Sequence, residues 1–515
     1  MSEIWRSLRF DESQLAIVLV ALFGTGLVVT LAGAPTGDLR LMGIGASVAA
    51  VSAAFLLAAG WVDAPILVAL SLPLPALYST PTLRVATALP VTAIAVGAWV
   101  MHLGVTNRPF ARGFLPIRAT VALAGAFLLA ALFTQHPLAS ARETVNFAVL
   151  LLFLLVATDA FSLDPRLFQR TMRWLVGIAA LCGILALLEA TGVIPGEFPR
   201  YNTAFYRAAL GFGQPNGLGL FFAILLPFAI HEYRHATQVP VRLAFALALI
   251  CITIGLFATF SRGAWLAILA GTIVLTFTGD GRMVVRVWLG ALVAAALFDV
   301  VSGGLIRDTI ERSIGDWVIE QRAVLMLAGV VMLFAYPLTG VGPGGYAESL
   351  EEFGPQIPQL WDYLPTPHNA YVQMAAETGI IGLFAFVGFF AIILVQQIRR
   401  IRAEPRDAPD PASRQHLRLQ SRIGVVRNSP VPSGIVDAQL QRTVLWSIGI
   451  ICAAGMVVWP FAHGTGQAVM LVLAGAFAGR AGGVRSAPDS TSMARSVTVE
   501  RAAPRRAGDT RRDVD

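Results

Sequence analysis

Long apolar runs separated by short polar connections form the main pattern of this chain. The runs at 15–31, 145–157 and 370–395 contain almost no charged residue. Continuous apolar stretches of this kind are typical of helices that cross a membrane, whereas a soluble amphipathic helix carries only an apolar stripe. The pattern therefore predicts an all-α polytopic membrane protein.

The same criterion, applied along the whole chain, predicts about 12–14 transmembrane helices. The spans are expected near 15–31, 41–60, 65–77, 85–103, 120–133, 145–161, 174–190, 211–230, 241–260, 264–278, 285–301, 370–395, 444–459 and 467–478. Pro73 and Pro75 interrupt the third span, so a kinked or re-entrant element is an alternative there.

Composition supports a membrane protein and excludes a typical soluble domain. Hydrophobic residues make up 56% of the chain and charged residues 13%, about half the charged fraction of a soluble protein. The first apolar run follows Arg6 and Arg9 without a small-residue cleavage site, so we expect it to remain as the first helix. Three cysteines, Cys182, Cys251 and Cys452, lie within apolar runs and are expected to be small core residues.

The positive charge predicts orientation, not nucleic-acid binding. All 38 basic residues are arginine, and the net charge is +7. With the N-terminus in the cytoplasm and alternating spans, 29 of the 38 arginines fall on the cytoplasmic side, as the positive-inside rule requires. Both termini are then cytoplasmic. The nine outer arginines are Arg40, Arg84, Arg142, Arg200, Arg207, Arg262, Arg307, Arg312 and Arg322.

The spans and the polar stretches together predict six regions. They are transmembrane helices at 1–301, an extracytoplasmic loop with short helices at 302–369, a transmembrane helix at 370–398, a basic cytoplasmic linker at 399–442, two last transmembrane helices at 443–480, and a disordered cytoplasmic tail at 481–515. The apolar run at 323–336 is ambiguous, because a span there would move the basic linker outside. We therefore expect a helix that lies in or dips into the outer interface.

Three outer arginines are candidates for binding an anion. Arg207 precedes a glycine-rich segment with Pro215, where a helix start would offer free backbone N–H groups. Arg262 lies in a connection so short that its guanidinium must stay close to the membrane surface, where it suits phosphate oxygens. Arg322 begins the ambiguous apolar run. Each also has a simpler interpretation: Arg207 and Arg262 as interfacial anchors, and Arg322 as a partner of Asp316 or Glu320.

A histidine and an asparagine mark the start of the helix that follows the outer loop. His368 could act as a general base near neutral pH, although a structural role is the common alternative for a lone histidine. Asn369 could cap the helix. Glu377 and Gln373 are expected on one face of it, and Gly342 belongs to a glycine-rich corner at 340–346. We find no His, Cys or carboxylate spacing typical of a metal site.

Four segments together resemble signatures of the O-antigen ligase and polymerase family. The segments are Arg207 with Phe212-Gly213-Gln214-Pro215-Asn216, then Ser261-Arg262-Gly263, then Pro337-Leu338-Thr339-Gly340-Val341-Gly342, and His368-Asn369 followed after nine residues by Gly379-Ile380-Ile381-Gly382. They occur in the family's order, on one predicted membrane face, and cover roughly 207–383. The first six spans match only in hydropathy.

The resemblance implies a GT-C-like, metal-independent, inverting glycosyltransferase in the bacterial inner membrane, with a long periplasmic loop. It implies no cofactor, a glycan on undecaprenyl diphosphate as donor, and a glycolipid or glycan hydroxyl as acceptor. Catalytic roles carry over onto His368, Arg262 and Arg207. Donor or glycan binding is expected at Arg322, Asn369, Asn216, Glu377 and Gly342. Besides the bilayer, other polysaccharide-assembly proteins are possible partners.

Three further functions remain as alternatives. A polymerase would join lipid-linked repeat units instead of loading an acceptor lipid. A transporter would move a lipid-linked glycan, but such proteins tend to show internal repeats and charges near the midplane, which this chain lacks. A scaffold of a polysaccharide secretion complex would use the basic linker and tail to bind lipid or partners.

Overall fold

The computed structural model describes residues 63–71, 88–106, 109–196, 205–210, 212, 214–278, 281–304, 307, 316–353, 366–403, 433–458, 460 and 463–478. Within these residues every regular element is a helix, and six helices are long and apolar enough to cross a membrane. The predicted all-α polytopic class is therefore confirmed.

The helices are numbered here in chain order. They are α1 (Ala64–Ser71), α2 (Ala88–Thr106), α3 (Ile117–Leu132), α4 (Pro137–Leu163), α5 (Pro165–Ala190), α6 (Pro215–His235), α7 (Val239–Ala258), α8 (Arg262–Gly271), α9 (Ile273–Thr276), α10 (Gly281–Val301), α11 (Asp316–Ala335), α12 (Leu350–Phe353), α13 (Ala370–Ala403), α14 (Ser433–Ala454) and α15 (His463–Phe477).

The helices coincide with the predicted spans wherever both are described. The six long apolar helices are α4, α5, α6, α7, α10 and α13, each at a predicted span. The span expected at 264–278 is divided into α8 and α9, which meet at Thr272. Predicted spans at 15–31 and 41–60 lie outside the described residues, as does the tail at 481–515.

Two region boundaries differ in detail from the helices. α13 continues to Ala403 and α14 begins at Ser433, so both ends of the predicted linker at 399–442 contain helix. The predicted extracytoplasmic stretch at 302–369 contains α11 and α12. The ambiguous run at 323–336 is thus helical, in agreement with the expectation of a helix there.

Helix α6 forms the centre of the bundle. Its side chains from Leu220 to Leu225 are fully buried, and it packs against α5, α7, α8, α14 and α15. Small residues permit close packing beside it, since an added Cβ at Gly183 of α5 would lie 2.1 Å from the Cys251 carbonyl oxygen of α7. In lipid the hydrophobic effect does not drive helices together, so close packing at small residues is one of the main causes of their association.

Helix α10 lies at the edge of the bundle and has no buried residue. Its apolar side chains, including Leu292, Val300 and Val301, are largely exposed. Exposed apolar surface along a whole helix fits contact with lipid tails instead of water. The exposed apolar surface of α10 and the buried side chains of α6 are therefore both consistent with a helix bundle in a membrane.

A glycine-rich loop packs into a kink of α13. Gly379 adopts φ 65°, ψ −167° and divides the helix. The kink frees backbone groups that bond to the loop: Val341 N donates to the Ala376 carbonyl (2.9 Å), and Ile380 N donates to the Pro337 carbonyl (2.8 Å). The Pro-Leu-Thr-Gly-Val-Gly and Gly-Ile-Ile-Gly motifs therefore form one structural unit.

Candidate active site

Three of the predicted outer arginines line one pocket with about 350 Å³ of empty space. Its lining residues are Arg207, Asn216, Phe260, Arg262, Gly263, Arg322 and Val457. Three of these described residues are arginines and none is acidic. The structure thus brings together four predicted site residues from three separate segments of the chain.

Arg207 is held by hydrogen bonds to two neighbouring segments. Its Nε donates to the Thr259 carbonyl (3.3 Å) and its Nη2 to Asn216 Oδ1 (3.4 Å). The same amide oxygen accepts a hydrogen bond from Ser261 Oγ (3.0 Å). Asn216, the second residue of α6, therefore links Arg207 to the turn that carries Arg262.

A buried glutamate positions the segment before α6. Glu189 is 3% exposed, and its Oε2 accepts hydrogen bonds from the backbone N–H groups of Ala209 (3.1 Å) and Leu210 (3.0 Å). Because one carboxylate accepts hydrogen bonds from both backbone N–H groups, the chain is held in place at Ala209 and Leu210, just after Arg207. The sequence patterns above do not single out Glu189, although a glutamate at the end of an apolar run is an available signal.

Arg262 is the first residue of α8, and its position follows from the Ser-Arg-Gly turn. Ser261 caps the helix by accepting a hydrogen bond from Ala264 N (3.4 Å). An added Cβ at Gly263 would lie 2.5 Å from Val457 Cγ2. The glycine therefore lets the start of α8 pack directly against the residues that follow α14.

Arg322 reaches the pocket from α11. Burial and the positive charge of Arg262 both lower the pKa of Arg322. The nearness of Arg322 and Arg262 gives this part of the pocket a positive potential, which suits an anionic ligand. The side chains of Asp316 and Glu320 lie outside the described residues, so the alternative pairing of Arg322 stays untested.

His368 lies in the electrostatic field of the same arginines. Burial, followed by the charges of Arg322 and Arg207, lowers the pKa of His368 to about 4. The imidazole is consequently neutral at pH 7, as a proton acceptor must be. Sequence placed this histidine at the start of a helix, and the structure adds its proximity to the cationic pocket.

Asn369 caps α13, as the sequence predicts. Its Oδ1 accepts hydrogen bonds from Tyr371 N (3.0 Å) and Val372 N (3.2 Å) at the first turn of α13. The preceding residue, His368, has a left-handed backbone with φ 51°. The cap and the unusual backbone together determine the position from which the His368 side chain projects.

Glu377 and Gly342 lie in the loop–kink unit and do not line the pocket. The Glu377 carboxylate accepts hydrogen bonds from Gly344 N (2.9 Å) and Gln373 Nε2 (3.1 Å). The second bond confirms that Gln373 and Glu377 share a helix face. Gly342 has φ 102°, and an added Cβ would lie 2.0 Å from Thr134 Oγ1. Both residues are placed to hold the local backbone geometry, and the substrate contact expected of them stays a prediction.

Left-handed backbone outside glycine concentrates around this site. Within the described residues, the non-glycine positions with positive φ are Leu210 (46°), Phe260 (50°) and His368 (51°). Each lies within three residues of Arg207 or Arg262, or is the candidate base itself. Backbone strain of this kind costs about 1–3 kcal/mol per residue and clusters at functional sites.

Fold and site define a polytopic all-α membrane protein with a cationic pocket built from the ends of its helices. Residues 247–387 match the family model of the O-antigen ligase, which confirms the resemblance to that family over this segment. This segment of the chain is therefore similar to the O-antigen ligase family. The match includes Arg262, Arg322 and His368. No curated protein matches the chain.

Proposed function

We propose that the protein transfers a glycan from undecaprenyl diphosphate to an acceptor hydroxyl at the periplasmic face of the bacterial inner membrane. The observation that supports this proposal is one pocket to which Arg207, Arg262 and Arg322 all contribute, with a neutral His368 beside it. A lipid diphosphate is the leaving group that such a pocket suits, because guanidinium groups bind phosphate oxygens in pairs.

The arginines have a defined role in this reaction. As the bond between the anomeric carbon and the phosphate oxygen breaks, its electron pair moves to the diphosphate. The growing negative charge is stabilised by Arg207, Arg262 and Arg322 without metal or cofactor. Removing one such preorganised donor typically lowers the rate by about 10²–10³-fold.

His368 acts as the proton acceptor. The acceptor hydroxyl oxygen forms the new bond to the anomeric carbon from the side opposite the diphosphate, which inverts that carbon. The hydroxyl proton moves to the neutral imidazole. Glu377 is less suited to this role, because its carboxylate is already bonded to Gly344 and Gln373. Asn369 and Asn216 position the two reacting segments.

The lipid part of the donor is expected to remain in the bilayer. The exposed apolar surface of α10 and the adjoining helices offers contact for a polyprenyl chain. The glycan and the acceptor approach from the outer side, where the predicted loop at 302–369 lies. Other polysaccharide-assembly proteins could deliver the donor there.

Reconstitution in liposomes separates the candidate functions. The purified protein is supplied with lipid-linked glycan isolated from its host, first alone and then with glycolipid acceptor from the same membranes. Product that requires the acceptor supports the ligase. Chain growth on the lipid carrier without acceptor identifies a polymerase. Movement of intact donor across the bilayer, with no new glycosidic bond, would instead contradict the enzyme and identify a transporter.

A further inference from the structure

A second basic pocket lies at the other end of the helices that form the arginine pocket. It is an open pocket whose polar lining includes His231, Arg234, His235, Gln439, Arg442 and Thr443. α6 carries Asn216 at the first pocket and His235 at the second. At a rise of 1.5 Å per residue, Asn216 and His235 are separated by roughly 29 Å along α6, which is about the thickness of a bilayer core.

The two arginines of this second pocket lack carboxylate partners in the described part of the chain. Arg234 Nη1 donates to the sulfur of Met283 (3.4 Å), a weak acceptor. Arg442 Nε is buried and has no hydrogen-bond partner there. Two guanidinium groups without a carboxylate partner among the described residues give the pocket a positive charge, which a bound anion would offset.

The nearest acidic residue on α6 is already engaged. Glu232 accepts hydrogen bonds from Arg173 Nε (2.8 Å) and Gln169 Nε2 (3.2 Å), and it does not line the pocket. The two histidines are oriented by bonds of their own: His235 Nδ1 to the His231 carbonyl (2.7 Å), and His231 Nδ1 to Thr443 Oγ1 (3.3 Å). The basic groups therefore form an ordered lining.

Apolar residues complete the lining. Pro227, Leu275 and Trp446 face the same space as the arginines, and the start of α10 closes one side with Met283. A phosphate with an attached apolar group fits such a mixed surface better than a hydrated inorganic cation or a neutral sugar.

We propose that this pocket binds a phosphate group, carried either by an anionic lipid headgroup or by a soluble phosphate. Under the predicted topology the pocket opens on the cytoplasmic side, so it is separate from the proposed transferase site. Its ligand would join α6, α9, α10 and α14, which all contribute lining residues.

Native mass spectrometry of the full-length protein tests the site. The protein is purified in detergent and offered phosphatidylglycerol, phosphatidylcholine or inorganic phosphate in separate titrations. The test variant is the double substitution Arg234→Gln with Arg442→Gln. The control is Arg286→Gln, which removes an exposed arginine of α10 outside the pocket. A second variant replaces both arginines with lysine. It retains the positive charge of the pocket and shows whether a loss of binding in the glutamine variant comes from the lost charge or from disturbed folding.

We expect the double glutamine variant to bind its anionic ligand about tenfold more weakly than wild type, from the loss of two charge-assisted hydrogen bonds in a partly exposed site. The lysine variant and Arg286→Gln should bind nearly as wild type. Selective phosphatidylglycerol binding identifies a lipid site, and inorganic phosphate binding identifies a soluble ligand. Two results would overturn the proposal. One is equal binding by the wild type and the glutamine variant. The other is that the protein binds phosphatidylglycerol no better than phosphatidylcholine and does not bind inorganic phosphate.

Discussion

His368 is the residue whose chemistry depends most on its neighbours. Its side chain is largely removed from water, and Arg322 and Arg207 oppose the addition of a further positive charge. These effects keep the imidazole neutral down to about pH 4. A bound diphosphate would partly cancel the arginine charges and raise the basicity of His368 only after the donor has arrived.

The pH dependence of kcat/KM should show this environment, because that quantity reports groups in the free enzyme. As the pH falls, protonation of His368 removes the base, so wild-type activity should decline near the pKa of about 4 and not near 6.5. Arg322→Gln removes one repelling charge and should move the decline to higher pH. Equal midpoints in wild type and Arg322→Gln would contradict the electrostatic account, whatever the absolute rates.

Glu377 offers a test that separates structural support from chemistry. Glutamine at this position can still accept a hydrogen bond from Gly344 N, so Glu377→Gln should keep most transfer activity. Glu377→Ala removes the acceptor of that partly buried N–H and should reduce stability by about 1–3 kcal/mol. Thermal unfolding and transfer rates of the two purified variants measure this. A large loss of activity in a stably folded Glu377→Gln protein would instead assign Glu377 to the reaction.

The sequence identified the charged residues of the site better than its supporting contacts. Arg207, Arg262, Arg322 and His368 could be selected because ionisable residues are rare beside apolar spans, and the family resemblance assigned their roles. The hydrogen bonds of Asn216 and Glu189 depend on the packing of α5, α6 and α7. Such long-range contacts leave no local periodicity, so sequence patterns could not predict them.

At the scale of elements, the loop–kink unit explains two glycine motifs at once. An added Cβ at Gly340 would lie 2.4 Å from the Ala376 carbonyl oxygen, and one at Gly379 would lie 2.3 Å from the Leu338 carbonyl carbon. Both glycines also have positive φ. The sequence predicted a tight corner at 340–346, but not that the corner packs into the middle of α13.

Alanine substitutions within α13 should distinguish these glycines from an ordinary helical one. Gly379→Ala combines a left-handed backbone with a clash and should cost at least about 2 kcal/mol. An added Cβ at Gly388 meets nothing within 4 Å, so Gly388→Ala should be neutral or stabilising by up to about 1 kcal/mol. Thermal unfolding in detergent gives both values. Similar stability of the two variants would show that the kink does not need its glycine.

The ends of helices were predicted less accurately than their existence. The break between α8 and α9 at Thr272 occurs inside one continuous apolar run. α13 extends eight residues beyond the predicted end at 395, because arginines such as Arg400 and Arg402 bond to the carbonyls of Ala476 and Phe277. Hydropathy cannot detect an end that is determined by contacts with other helices.

At the scale of the whole molecule, the arginine distribution predicts which face each pocket occupies. Ala141 is exposed near the predicted outer surface and Gln238 is exposed near the predicted inner surface. In a protein without its native cysteines, a cysteine at 141 should react with a membrane-impermeant maleimide added to cells with a permeabilised outer membrane. A cysteine at 238 should react only after the inner membrane is opened. The reverse pattern would invert the topology.

The glycan-transfer rate of two site variants beside one matched control tests the central claim most directly. Arg262→Ala and His368→Ala are compared with Arg142→Ala, which removes an exposed arginine of the same predicted face. All three are reconstituted with lipid-linked glycan and acceptor, after equal folding has been verified. The account predicts losses of about 100-fold or more for Arg262→Ala and His368→Ala, and near wild-type transfer for Arg142→Ala. Transfer at the wild-type rate by folded Arg262→Ala and His368→Ala would contradict it.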